Sequence, residues 1–419
     1  MVGAGSTPAA KCGEEMDIHE GQVARPDNVS PELVYDYDLF EAPREIRSTY
    51  QIELVRKIHA EAPDIFWTPR NGGHWVFTRA EDIDQGQREG DLFSMRDVIL
   101  PMGQSPQQNI PLETDGPEHL AYRAILQPVF LPNQVLKFEA EVRELAIKLI
   151  EGFKPRGHCE FVSEFAAVLP IEIFMKLAAL PAQDREDLLT WSDALVHPPS
   201  EEQRAWAYGH MAAYIDNLMV ERARGEGADV ISLIMRAQVF GRDLTREERV
   251  SMIYNVLLGG LDTVMSTMGV VARFLAVNPG HREQLRADYK LIPKAIDELM
   301  RFHGATGTAR VITRDVEYKG ITFRAGDRVL VQSMFHGQDD RRFPDAGSVD
   351  FHRKDVRHAA FGQGKHRCIG AMLARLEMRI FIEEWLQRIP EFHITEGELP
   401  VLERGMVNSM RKLPLSWPV

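Results

Sequence analysis

The stretch FGQGKHRCIG, Phe361 to Gly370, sets one cysteine, Cys368, in a glycine-rich loop directly before the helical run AMLARLEMRIFIEEWLQRI. A thiol acts as nucleophile or metal ligand through its anion. Lys365, His366, Arg367 and the N-terminus of the following helix all favour that anion. Three readings of the loop stand at this point. The first is a buried structural cysteine, and the second a nucleophile with His366 as base only two residues away. The third is a metal thiolate. With no second cysteine or paired histidine nearby, a zinc site has too few ligands, whereas haem iron needs one strong axial ligand.

Other residues of suitable type lie upstream. Glu298 and Arg301, three apart after Pro293, form either a solvated surface pair or a structural ion pair. In Leu258-Gly259-Gly260-Leu261-Asp262-Thr263, two adjacent glycines cost a helix about 1 kcal/mol each relative to alanine. They permit close helix packing or the approach of another group, and the Thr263 hydroxyl is placed to bond back to the Gly259 carbonyl. His119 and Arg123, after Asp115-Gly116-Pro117, share one helical face and could neutralise buried carboxylates.

The elements that must position these residues are mostly helical. Apolar periodicity predicts helices over Phe138–Glu151, Glu202–Arg224 and Arg282–Tyr289. A long helix should start at Thr245, capped in a box with Glu248. Its apolar face runs for roughly six turns or more until Asn278-Pro279-Gly280. Strand signals are confined to Trp75–Thr78, Val316–Tyr318, Ile321–Phe323 and Arg328–Gln332. The expected class is mainly α with a small antiparallel β part.

Composition narrows the function. The 419 residues carry 49 Lys+Arg against 62 Asp+Glu, a net charge of −13, which argues against a nucleic-acid partner. Cys12, Cys159 and Cys368 form no C-x-x-C pair, so a disulfide framework is not expected and a reducing cytoplasm fits. Residues 1–30 read as a flexible tail without the features of a secretory signal, and 31–419 as one domain. The apolar stretches Phe165–Leu180 and Val256–Val277 carry Glu172, Lys176, Asp262 and Arg273, so no membrane span is expected.

Phe361, Gly364, His366, Cys368 and Gly370 match the haem-ligand signature of the cytochrome P450 family, and the chain resembles that family from about Tyr35 onward. The Glu298-x-x-Arg301 pair, the Gly259–Thr263 segment and His119-x-x-x-Arg123 match further motifs in family order. The resemblance implies the cytochrome P450 fold, a long central helix crossing over haem b, and Cys368 as axial ligand. It also implies propionate contacts from His119, Arg123, Arg310 and His366. In the oxygen-activation site it implies, Thr263 holds dioxygen and its waters and Asp262 relays protons, beside Gly259 and Gly260.

Within the family, Leu258–Val264, the run QGKHRC and Leu413-Pro414 before Trp417 look most like the camphor hydroxylase group. Gln107 stands at the position matching that group's camphor-anchoring tyrosine. Carrying the other positions over gives a pocket of Val98, Asn255, Leu258, Thr263, Thr306, Met406 and Val407, suited to a small terpenoid or norisoprenoid. A mobile cover is expected near Asp97–Pro111. With no G-x-G-x-x-G motif after a strand and no flavin domain, electrons should come from a [2Fe–2S] ferredoxin with a separate reductase. Arg123, Lys365 and Arg367 would offer that partner a basic patch. A peroxide-using haem–thiolate peroxygenase and a non-catalytic haem sensor are the alternatives.

Overall fold

The structure is a computed structural model that describes residues 22–41, 52–101, 107–197, 200–223, 227–260 and 262–419. Helices form where the periodicity places them: Glu139–Phe153, Glu201–Arg222 and Pro279–Ala287, the last followed by a 3-10 turn at Tyr289–Leu291. Ser200 caps the second of these by accepting from the Gln203 N–H, and Pro279 occupies the first turn of the third. The fold class is as expected, mainly α with a small sheet.

The largest sheet has five strands in the order Ile65–Thr68, His74–Phe77, Arg328–Gln332, Gly307–Ile312, Phe93–Ser94. One of its ladders, His74–Phe77 with Arg328–Gln332, is parallel, where an antiparallel sheet was expected. A parallel ladder needs a long crossover, and here most of the helical chain provides it. The sheet buries an aromatic cluster in which the Trp75 and Phe323 ring centroids are 4.9 Å apart. A second, larger apolar core is built from helices and includes Phe161, Phe165, Phe381 and Trp385.

The central helix differs most from expectation. Its start is as predicted, with both halves of the Thr245–Glu248 capping box formed. Among the described residues it forms helices Arg246–Gly259 and Thr263–Val277, on either side of residue 261, which lies outside them. Two glycines remove the side chains that would stiffen the segment. Just beyond it, the Ser266 hydroxyl donates to the Asp262 carbonyl at 2.9 Å and the Thr267 hydroxyl to that of Thr263 at 2.9 Å. Such bonds to the carbonyl four residues back bend helices. Among the described residues the expected bond from Thr263 to Gly259 is not made; Ser266 and Thr267 bond back instead.

Two long-range contacts fix this helical segment and the cysteine loop. The hairpin of Val401–Glu403 and Ser409–Lys412 lies against Thr263–Val277 at Gly269, where an added Cβ would sit 2.6 Å from the Met410 Cβ. Helix Ile292–His303 carries the Glu298–Arg301 pair, which is fully buried at 2.8 Å and not a surface pair. Arg301 also donates to the carbonyls of Ala346 (2.9 Å) and Ser348 (2.8 Å) and to that of Gly337, and Arg353 joins Glu298 at 3.0 Å. The ion pair thus pins segment 337–353, which leads into the cysteine loop.

Candidate active site

The cysteine loop is shaped by its glycines. Gly362 and Gly364 take φ of +66° and +67°, a region that side chains disfavour, and Gly364 fits against the backbone of Arg88. The turn closes with the Cys368 N–H donating to the Phe361 carbonyl at 2.7 Å, and helix Ala371–Arg388 begins directly after Gly370. Cys368 is accessible because its sulfur faces an internal cavity of about 370 Å³. Burial pushes the thiol pKa up. The N–H groups of Gly370 and Ala371 and the charges of Arg123 and Arg367 act in the opposite direction, toward the thiolate. Cys159, by contrast, is packed in strand His158–Glu160 with its pKa raised by burial, as an inert core cysteine would be. Cys12 lies outside the described residues.

Cationic and imidazole side chains converge on the same cavity. His119, Arg123, Arg310, His366, Phe361 and Gly370 all line it; Gly364 does not, being spent on the approach to Arg88. The His119 and His366 rings stack with centroids 3.7 Å apart, and His119 bridges the carbonyls of Pro111 (2.9 Å) and Lys365 (3.1 Å). Burial, with help from His119, Arg310, Arg123 and Lys365, depresses the His366 pKa to about 3. Its Nδ1 is buried without a protein partner among the described residues. Arg310, fully buried, is pushed down to about 10. A buried site with this donor excess is built for an anion.

Gly259, Gly260 and Thr263 line the same cavity as Cys368. The two glycines have different duties. A Cβ on Gly259 would meet nothing within 4 Å, while one on Gly260 would collide with the Phe174 ring at 2.4 Å. Gly259 therefore leaves open space and Gly260 permits close packing. Asp262, expected beside Thr263, does not line the cavity. Its carboxylate pairs with His197 at 3.5 Å, because Thr263 begins the second helix and Asp262 precedes it on another face.

Of the expected pocket residues, Asn255 and Thr306 line the cavity. Asn255 donates to the Ile110 carbonyl at 3.2 Å, tying the central helix to the 107–113 segment, and the Thr306 hydroxyl donates to Ala360 at 3.1 Å. Val98, Gln107, Leu258, Met406 and Val407 are not among its lining. Leu258 packs into the helical core, about a third of a turn round from Gly259. Met406 packs on the sheet core, Val407 bridges to the Thr306 backbone, and Val98 has its N–H on Glu113 at 3.2 Å. Part of the expected cover, 102–106, lies outside the described residues.

Several lining residues had not been anticipated. Glu377 is buried on the cavity wall, and burial pushes its carboxyl well above the usual carboxylate range. Its signal was present: Leu373, Glu377 and Ile380 share the inward face of one helix. Phe174 and Thr267 also contribute. Neither Arg353 nor His197 belongs to the motifs named above, and the folded chain brings them to Glu298 and Asp262.

A thiol facing a cavity, an apolar lining and a cluster of imidazole and guanidinium groups with an unpartnered buried nitrogen fit a flat, dianionic haem. That combination, in a helix-rich fold, defines a haem–thiolate protein. The cytochrome P450 family model matches residues 210–413. The chain is 34% identical to the probable cytochrome P450 127A1 of Sinorhizobium fredii over 94% of its own length and 96% of that protein's. It is 31% identical to the cytochrome P450 monooxygenase PikC of Streptomyces venezuelae, covering 73% of this chain and 75% of PikC. Among solved structures it resembles CYP101J2, at 35% identity and TM-score 0.87 over 95% of this chain and all of that one. CYP101C1 is similar at 34% identity and TM-score 0.86, over 94% and 100%. The chain belongs to the cytochrome P450 family. It is a monooxygenase of the kind that carries haem b.

Proposed function

We propose that this enzyme hydroxylates a small hydrophobic substrate, a terpenoid or norisoprenoid, in the cytoplasm, using O2 and two electrons from a [2Fe–2S] ferredoxin served by a separate reductase. The observation that carries this is one largely apolar cavity lined by Cys368 together with Gly259 and Thr263. Cys368 is the axial ligand in this reading, and His119, Arg123, Arg310 and His366 hold the two propionates. Bound there, haem b supplies dioxygen activation and the oxidising power for C–H hydroxylation.

The remaining tasks fall to the chain. Gly259 leaves room in the cavity, and Thr263 presents a hydroxyl that can hold a proton or a water there. Phe174, Val256 and Leu112 exclude bulk water and orient an apolar substrate. Asn255 and Thr306 are the polar groups offered to a substrate oxygen. On the outer side of the loop, Lys365 and Arg367 are exposed, as are the neighbouring apolar residues Leu120 and Met372. A basic patch with an apolar centre suits an acidic ferredoxin. Arg123, half-buried and donating to the Arg367 carbonyl at 2.5 Å, belongs more to the cavity than to this patch.

The test is a carbon monoxide difference spectrum of the reduced protein, followed by titration with β-ionone. A thiolate-type Soret band that disappears in Cys368→Ala, and a spin-state shift with β-ionone, are expected. A histidine-type band overturns the ligand assignment, and a flat titration overturns the substrate class. Turnover with peroxide alone, matching that with ferredoxin and O2, would favour the peroxygenase reading.

A further inference from the structure

His197 has no place in the reading so far, yet it stands at the meeting point of three elements. It follows helix Arg185–Val196, where its N–H closes the last turn on the Asp193 carbonyl at 2.8 Å. The hairpin lying on Gly269 brings Ser409 and Glu403, paired in register, to the same point. The start of helix Thr263–Val277 brings Asp262. As a result, His197 Nε2 lies 3.5 Å from the Asp262 carboxylate and 3.1 Å from the Ser409 hydroxyl, while Nδ1 lies 3.5 Å from Glu403.

The accessibility along this line is graded. The Asp262 and His197 side chains are 8% and 5% exposed, and Glu403 is 44% exposed. The Asp262 Oδ2 is buried without a partner among the described residues. An imidazole whose two nitrogens face two carboxylates, one inside and one at the surface, can take a proton at one nitrogen and release one at the other.

We infer that His197 is a positioning residue for proton supply, carrying protons from the solvent side at Glu403 to the buried Asp262. This rests on the monooxygenase reading, in which each turnover consumes two protons. The transfer is balanced without any redox change. Nδ1 takes a proton from Glu403 or water to give the imidazolium, Nε2–H then gives its proton to an Asp262 oxygen, and a flip of the resulting Nδ1–H ring restores the first tautomer. Asp262 then turns toward Thr263 and the cavity.

The groups facing His197 are Asp262, Ser409, Glu403 and, behind Glu403, Arg411, which pairs with it at 3.3 Å and with Asp193 at 2.5 Å. Burial opposes charge on the imidazole, but the hydrogen bond and charge of Asp262, then Glu403, outweigh it and Arg411, so the pKa is raised.

Two experiments on the holoenzyme test this. In the first, NMR titration of the His197 imidazole in the reduced, carbon monoxide-bound form should give a midpoint above the ordinary value of about 6.5. Asp262→Asn should lower it. A midpoint below that value, or one that Asp262→Asn leaves in place, overturns the coupling.

In the second, NADH consumption through a [2Fe–2S] ferredoxin and reductase is followed from acid to alkaline pH with β-ionone as probe. His197→Gln should slow it about tenfold or more, flatten the alkaline fall and enlarge the solvent isotope effect, leaving β-ionone binding unchanged. His197→Lys, which keeps the charge but has one nitrogen, should be equally slow. Unchanged rates, a lowered rate with an unaltered pH profile, or full rescue by lysine each overturn the relay. If the unmodified enzyme leaves β-ionone untouched, the substrate reading fails, while imidazole titration and NADH oxidation still decide the role of His197.

Discussion

The two walls of the cavity are built on different principles. The cysteine side is a short contiguous motif standing on buried charge: Glu298, Arg301 and Arg353 form an ion-paired cluster in which Arg301 also holds three backbone carbonyls. The other side is a helix with a weak point, held by close packing at Gly260 and Gly269 and by hydroxyl bonds from Ser266. Charge fixes the wall that must present one sulfur at one place. Packing against small residues holds the helical wall. A buried ion pair fails abruptly when one partner is removed, because the other charge stays behind, whereas packing yields by degrees.

The largest effect should come from Arg301→Ala. It leaves Arg353 as the one remaining cation on Glu298 among the described residues and frees the Gly337 and Ala346 carbonyls, for an expected loss of about 3–5 kcal/mol and of retained haem, measured by urea unfolding and haem content. A loss of less than about 1 kcal/mol would mean that the cysteine wall does not depend on this charge cluster.

A graded response is expected on the other wall. Gly269→Ala forces Met410 and its hairpin off helix Thr263–Val277 and should cost about 1–3 kcal/mol. Haem content should hold, with changes confined to the Ser409 and His197 side and visible as faster hydrogen exchange in the hairpin. Complete unfolding would show that both walls respond alike.

The smallest effect serves as a control away from both walls. His74, fully buried in the sheet, has its pKa lowered by burial to about 4. The unfolded chain takes up a proton near pH 6.5 that the folded chain refuses, so stability present above pH 6.5 is lost as pH falls toward 4. Between pH 7 and pH 5 this costs on the order of 1–2 kcal/mol. His74→Phe should lose correspondingly less over that range in urea titrations, with the Soret spectrum unchanged; an equal loss would assign the acid sensitivity elsewhere.

Much of the architecture was readable in advance. Periodicity located Glu139–Phe153 and Glu201–Arg222, and the box at Thr245 and Glu248 fixed one helix start. The strands Val316–Tyr318, Ile321–Phe323 and Arg328–Gln332 formed as the local alternation indicates. The converging His119, Arg123, Arg310 and His366 were also legible, through spacing and family resemblance. The pocket was less so, since Leu258 and Met406 are apolar whether they face a core or a cavity, and hydrophobicity alone cannot separate the two.

The sequence by itself determined the cysteine loop, the capped helix and the glycine pair, because these depend on neighbours within a few residues and on backbone freedom. It could show that Gly259 and Gly260 would weaken a helix. The tertiary structure alone decided that one faces open space and the other Phe174, that Glu298 gains Arg353, and that Asp262 turns to His197. Those outcomes rest on contacts between segments far apart in the chain, where the partner is chosen by packing and by the need to satisfy buried charge.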